Sequence, residues 1–350
     1  MYDTIITHEG VHGEECLGIN LLKNYGRKKF PGVECAKIEF WKTNKLPKEK
    51  TEDDFLEEGK ILVGLGGGRY DDKDKNGNRK KDCTAMLVAK DLGIDNLPEL
   101  QEILRYAQKV DAKPVGVPLD IFSLIKTFHL NHPDDSMIGF EWFNLAIQEF
   151  IKKQIHFHTV TKAEFEKNHT KDRFPGPNGE LITSTTVSSD DPLVSNFART
   201  EWGGRFDLII QIKSTGHVQI FTNQFLKIYL YDVARIIRLE EQKKRNITIT
   251  TDWEKLGAVG EIPEIPWFLH NEGKMLLNGT LTISDVSPTA LSYEQVDVAM
   301  RIALNPNLFD LNFSKDCKKG ICKSSTSKPC RLFQYGFQRC QDIRQKNKKN

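Results

Sequence analysis

Thr7-His8-Glu9-Gly10-Val11-His12-Gly13-Glu14-Glu15 places two imidazoles and three carboxylates within eight residues. Imidazole suits Zn, Mn, Fe and Co, while carboxylate adds neutralising charge and takes harder ions such as Mg or Mn. That density of donors points to a divalent-metal site, with Glu15 available to orient water or act as general base. For either histidine alone, a solvated loop is the plainer reading.

Two further clusters carry chemistry. Gly66-Gly67-Gly68 runs into Arg69-Tyr70-Asp71-Asp72. Glycines let a backbone approach a phosphate or a metal-bound oxygen, and equally make tight turns with no ligand. Asp71 and Asp72 follow an apolar run and would face His8 and His12, with Asp72 a second candidate base. Lys73 to Lys81 is a charged loop, basic enough to meet a polyanion. Near the other end, Cys317-x4-Cys322-x7-Cys330-x9-Cys340 lies among Lys, Ser and Arg, with Phe333, Tyr335 and Phe337 interleaved. So small a segment has little core of its own and gains folding energy from a four-thiolate metal site. Zinc is the default, and an iron–sulfur cluster the alternative, because the spacing is not that of a standard finger. Reduced thiols in a flexible tail are the remaining reading. The basic and aromatic residues there also suit nucleic-acid contact by phosphate pairing and stacking.

The elements that must position these groups follow from periodicity. Thr4 to Thr7 reads as a first strand and Glu15 to Tyr25 as the helix behind it, with Leu17, Leu21 and Leu22 on one face. Ala36 to Phe40 alternates as a half-buried strand, and Lys60 to Leu65 is a compact buried one. Three strands separated by crossover-length segments predict a parallel sheet, with the His/Glu cluster beyond a strand's carboxyl end, where such sheets gather ligands. Helices are expected over Cys83–Leu92, Leu97–Val110, Asp120–Leu130 and Met137–Ile155. His129 and His132 read as surface residues. Asn168 to Asp191, full of Pro, Gly, Ser and Thr, reads as a long connection. Phe206–Ile212 and Gly216–Thr222 predict a hairpin, Phe225–Arg245 a helix, and Ser292 caps another running through Leu304.

At 350 residues the chain is long enough for two domains. Lys plus Arg of 50 against Asp plus Glu of 48 leaves a net charge of +2, so a nucleic-acid partner needs a local basic surface. No stretch approaches the roughly 20 apolar residues of a membrane span. Seven cysteines without a secretion signal argue for thiols or metal ligands over disulfides, and a cytoplasmic location is expected. The expected fold class is α/β: a parallel-sheet metal-binding domain with helices over 1–165, a smaller α+β substrate domain over 192–310, and a Cys-rich tail over 311–350.

The order strand, Thr-His-x-Gly-x-His-x-Glu, helix, then a later strand closed by Gly-Gly and Arg-Tyr-Asp, resembles the DHH-type phosphoesterase superfamily, nearest the Myg-type metal-dependent nucleases. The resemblance implies an α/β domain binding two divalent ions, usually Mn, and a second domain that grips substrate phosphate. It further implies phosphoester hydrolysis, often on RNA or short oligonucleotides. Carried over by residue, it implies His8, His12, Glu14, Asp71 and Asp111 as metal ligands. Gly67, Gly68 and Arg69, with Gly216 and His217, would be substrate contacts. Two departures stand out: Asp72 and Lys73 occupy the places of the family's histidine pair, and Gly64 or Leu65 that of an aspartate before Gly-Gly. The expected function is therefore a metal-dependent phosphodiesterase with Mn or Mg at the N-terminal site, an exonuclease on a phosphate-containing substrate such as RNA or a short oligonucleotide, with no membrane partner and with room for a homo-oligomer. A degenerate nucleotide-binding protein and a small-molecule phosphatase are the alternatives.

Overall fold

Burial of Ile5, Ile6 and Thr7 fixes β1 (Thr4–His8) as the central strand of the first sheet in the computed structural model, which describes residues 1–113, 119–176, 179–279 and 285–349. It leads through a short loop into α1 (Gly13–Tyr25). After α1 come β2 (Lys37–Trp41), the short α2 (Glu52–Glu57) and β3 (Lys60–Leu62). The strand order is β2-β1-β3, all parallel, with Thr4 beside both Lys37 and Lys60. Crossovers from β1 to β2 and from β2 to β3 bring all three carboxyl ends to one edge, as the sequence pattern predicts.

Four helices complete this unit, Met1–His158: α3 (Thr84–Leu92), α4 (Pro98–Ala112), α5 (Ile121–Asn131) and α6 (Ser136–His156). All four pack on α1, which is why α1 buries residues around most of its circumference, Cys16, Leu17, Ile19, Leu21 and Leu22 among them. Asp120 caps α5 by accepting from the Phe122 and Ser123 amides. In α6, Phe140, Phe143, Ile147 and Ile151 recur at helical spacing and enter the core.

The second unit, Thr159–Asn350, has its own core. Its elements in order are α7 (Lys162–Asn168), β4 (His169–Pro175), β5 (Leu181–Ser188), α8 (Val194–Arg199), β6 (Leu208–Ile212), β7 (Val218–Thr222), α9 (Tyr231–Arg245), α10 (Trp253–Leu256), β8 (Gly260–Ile262), β9 (Ile265–Leu269), β10 (Met275–Leu277), α11 (Tyr293–Leu304), α12 (Ser314–Lys318) and α13 (Gln338–Lys349). The seven strands run β4-β5-β6-β7-β10-β9-β8, with β5 and β6 parallel and every other pair antiparallel. α9 and α11 pack together and close the core around Trp267, Ile236 and Met300.

Two expectations need correction. Asn168–Asp191 is not a long connection: β4 and β5 pair through it from His169↔Val187 to Pro175↔Leu181, with residues 177–178 outside the described part. Its threonines, together with Ile182 and Val187, are β-branched and suit a pleated surface, so the turn-like composition misled. The helix expected from Phe225 begins only at Tyr231, because Lys274 Nζ claims the Leu226 and Ile228 carbonyls. No helix among the described residues is long and apolar enough to cross a membrane.

Candidate metal centre

β1 ends at His8, and the chain turns through Glu9–Val11 to His12, the residue before α1. His8 Nδ1 lies 2.7 Å from the Glu9 carbonyl, which leaves Nε2 facing Glu15 Oε1 at 3.0 Å. The other oxygen of Glu15 accepts from the His12 amide at 2.6 Å, so the first turn of α1 folds this carboxylate back over the loop. His12 Nδ1 stands 3.7 Å from Glu15 and 3.6 Å from Glu14. One ligand atom each from His8, His12 and Glu15 falls within 4.8 Å of the others, close enough to share an ion. The loop is pinned from behind by Ser136 Oγ, which accepts from the Gly10 amide at 3.0 Å, and by His129 Nε2, 2.9 Å from the Val11 carbonyl.

These groups open onto a cavity of about 600 Å³ at the carboxyl edge of the three-stranded sheet. The segment after β2 lines it with Lys42, Thr43 and Asn44, the turn after β3 with Gly64, Asp71, Asp72 and Lys73, and α4 with Asp111. Six carboxylates (Glu9, Glu14, Glu15, Asp71, Asp72, Asp111) face three permanent cations (Lys42, Lys73, Arg79) across it. Arg79 pairs with Asp111 and approaches Asp72 at 3.7 Å.

The electrostatics record that crowding. Burial disfavours a charged His8, but the hydrogen bond and charge of Glu15 prevail and raise it to about 9. Glu14 likewise raises His12 against burial. Burial would neutralise Glu15, yet the His8 hydrogen bond and the charges of both histidines hold it below the usual range. Asp111 is raised by burial and then by Glu14, against Arg79; Asp72 is raised by burial and by Asp71, against Lys73. The donor set fits a divalent cation: two imidazoles, a buried carboxylate and surplus negative charge, with His8 held by its second nitrogen on a carbonyl as metal-binding histidines commonly are.

No family model matches the chain, and no curated protein does. Among solved structures, a pGpG-specific phosphodiesterase, PggH, from Vibrio cholerae aligns over 69% of this chain and 88% of its own, at 10% identity and a TM-score of 0.23. An uncharacterized protein from Helicobacter pylori G27 aligns over 86% and 98%, at 8% identity and a TM-score of 0.20. Similarity this low supports no conclusion about fold or chemistry, so the function rests on the site itself.

Of the residues singled out from sequence, His8, His12, Glu14, Glu15, Asp71, Asp72 and Asp111 all reach the cavity. Asp71 also serves its own turn, one oxygen accepting from Gly67 N at 2.8 Å and the other from Lys73 N at 3.0 Å. Gly67, Gly68 and Arg69 do not line the cavity: the Gly67 amide is spent on Asp71 and the Arg69 amide on Glu52. Gly216 sits in the β6–β7 turn of the second unit, and both ring nitrogens of His217 are engaged, by Thr215 Oγ1 at 2.7 Å and the Val286 carbonyl at 2.8 Å. His129, expected at the surface, is half-buried through its contact with Val11. Gly64, which the sequence marks only as a place where the resembling family has an aspartate, has a packing role there: at φ +70° its Cβ would lie 2.7 Å from Glu15 Oε1. The signal was its place directly after a buried strand.

Proposed function

We propose that the first unit is a divalent-metal-dependent phosphodiesterase acting on short oligonucleotides or RNA. The observation that carries this reading is the meeting of His8, His12 and Glu15 within 4.8 Å at the mouth of an acidic cavity that also holds cations. A Mn or Mg ion held by His8, His12 and Glu15, with Glu14 and Asp71 beside them, would supply Lewis-acid activation of water and offset charge at phosphorus. Asp72, which burial and Asp71 make more basic than an ordinary carboxylate, would as the carboxylate accept the proton of the attacking water. Lys42, Lys73 and Arg79 line the cavity and orient the phosphate oxygens, a role for which they stand better than Gly67, Gly68 or Arg69. Asp111 positions Arg79 through their ion pair.

The test is hydrolysis of a linear dinucleotide and of a short RNA by the purified chain with added Mn. Turnover should need the ion and disappear in His8→Ala and His12→Ala. Absence of Mn-stimulated cleavage, with Mn bound, would favour the second reading, a nucleotide-binding protein without turnover. One observation supports that alternative: Lys73, a cation that cannot ligate while charged, lines the cavity and stands at the sequence position where the resemblance implies a histidine ligand.

A further inference from the structure

The second unit carries an independent set of soft donors, in a stretch with almost nothing else to hold it. After Phe313 no residue from Ser314 to Cys330 is buried, and the next buried ones are Gly336 and Phe337. A segment without apolar burial gains its order from somewhere else. Cys317 lies in α12, Cys322 in the loop after it, Cys330 ahead of the turn at Phe333–Tyr335 and Cys340 in α13. All four thiols are free, and all four line one small cavity walled by Phe313 and Phe333. Cys340 also packs against the core of the second unit, so a bond shared by the four would tie the coreless stretch to it.

The size of the cavity says what fits. One water-sized body needs roughly 10–15 Å³, so a cavity of about 20 Å³ takes a single ion and leaves no room for irons bridged by sulfide. Four thiolates around one ion select zinc, which holds them tetrahedrally at about 2.3 Å and sets the sulfurs roughly 3.8 Å apart. Among the described residues, no three of these sulfurs lie within 4.8 Å of one another, so the ion draws them inward. Cys322 can follow, because residues 321–330 belong to neither helix nor strand and their shift breaks no ladder of hydrogen bonds. At Cys330 burial raises the thiol and Asp310 adds to it, while the Leu332 and Phe333 amides bond the sulfur and favour the thiolate that a cation brings. Arg344 lines the cavity and lies 4.0 Å over the Phe333 ring, where it offsets negative charge left by four thiolates on a divalent ion. We propose that Cys317, Cys322, Cys330 and Cys340 bind one zinc ion, which staples residues 314–330 to the core of the second unit.

The experiment uses the full chain, reduced, stripped with chelator and loaded with zinc or, separately, with cobalt, then desalted. Cobalt should show thiolate-to-metal charge transfer and the visible bands of tetrahedral sulfur coordination. Zinc should remain at one per chain in the His8→Ala/His12→Ala variant, which removes the other candidate metal site and so separates this proposal from the fate of the phosphodiesterase reading. Cys322→Ala/Cys330→Ala should lose the cobalt bands, while Cys35→Ala, at an exposed thiol of the first unit, should keep them. Zinc should also slow tryptic cleavage at Lys315, Lys318, Lys319 and Lys323 in the unaltered chain and not in the cysteine double variant. No retained zinc, cobalt without thiolate bands, bands that survive in the cysteine double variant, or iron with acid-labile sulfide in unaltered chain purified without oxygen overturns the site. If the variants misfold, the cobalt spectrum of the unaltered chain decides alone, because His8, His12 and Glu15 offer no sulfur.

Discussion

His8 places one ring nitrogen on the Glu9 carbonyl and turns the other toward Glu15, so a cation entering there must displace the proton that the pair shares. In the metal-free fold His8 titrates at about 9, above the ordinary 6.5. A raised value means that the pair's stabilisation is complete below pH 6.5 and lost as the pH climbs through 9. The metal-free protein should therefore melt at progressively lower temperature over that window, a trend that His8→Gln flattens in chelator-treated samples. Mn affinity should move the opposite way, rising about tenfold per pH unit for each proton displaced; calorimetric titrations from pH 6 to 9 would show it. Loss of both trends in unaltered protein would mean that His8 is not at the site. Two carboxylates compete for the third ligand position. Glu15, buried and in contact with His8, should cost Mn affinity about 100-fold or more as Glu15→Gln, against less than about tenfold for Glu14→Gln. The His8–His12 spacing was legible in the sequence. Which glutamate joins them was not obvious, because the family pattern points to Glu14 while the helix geometry folds back Glu15, three residues after His12, onto the His12 amide.

At the scale of elements, the site exists because β1 stops at His8, α1 begins at Gly13, and the turn after β3 leaves room for Glu15. Gly64 makes that room: its φ is +70°, and a methyl group there would meet Glu15 Oε1 at 2.7 Å and Cγ at 3.0 Å. Gly64→Ala should cost about 1–3 kcal/mol of stability from backbone strain and the displaced carboxylate, and should weaken Mn binding as well. Gly93→Ala is the matched control. Gly93 ends α3 at φ +69° with nothing within 4 Å of its Cβ, so it should lose about 1 kcal/mol and leave Mn affinity unchanged. Equal Mn affinities in the two variants would remove Gly64 from any positioning role. The parallel sheet was readable because buried strands such as Lys60–Leu62 are short apolar runs between crossover-length segments. The β4–β5 pair was hidden, since Pro, Gly and Ser around its turn outweighed the β-branched residues that pair.

Over the whole molecule, a net charge of +2 conceals a cavity in which six carboxylates face three cations, because opposite charges elsewhere average it away. Composition could therefore exclude a polycation but could not reveal the acidic site. The two units have separate cores, one built around α1 and the other around α9 and β9. A single all-or-none transition is not expected of such a chain. Calorimetry should resolve two unfolding steps. A ligand that binds only folded protein stabilises it by about 2.7 kcal/mol at a concentration 100 times its dissociation constant. Mn at that excess should raise the step belonging to Met1–His158 and leave the other in place, and His12→Ala should abolish the shift. Movement of both steps together, or of the Thr159–Asn350 step alone, would place the ion's binding somewhere other than the mouth of the acidic cavity.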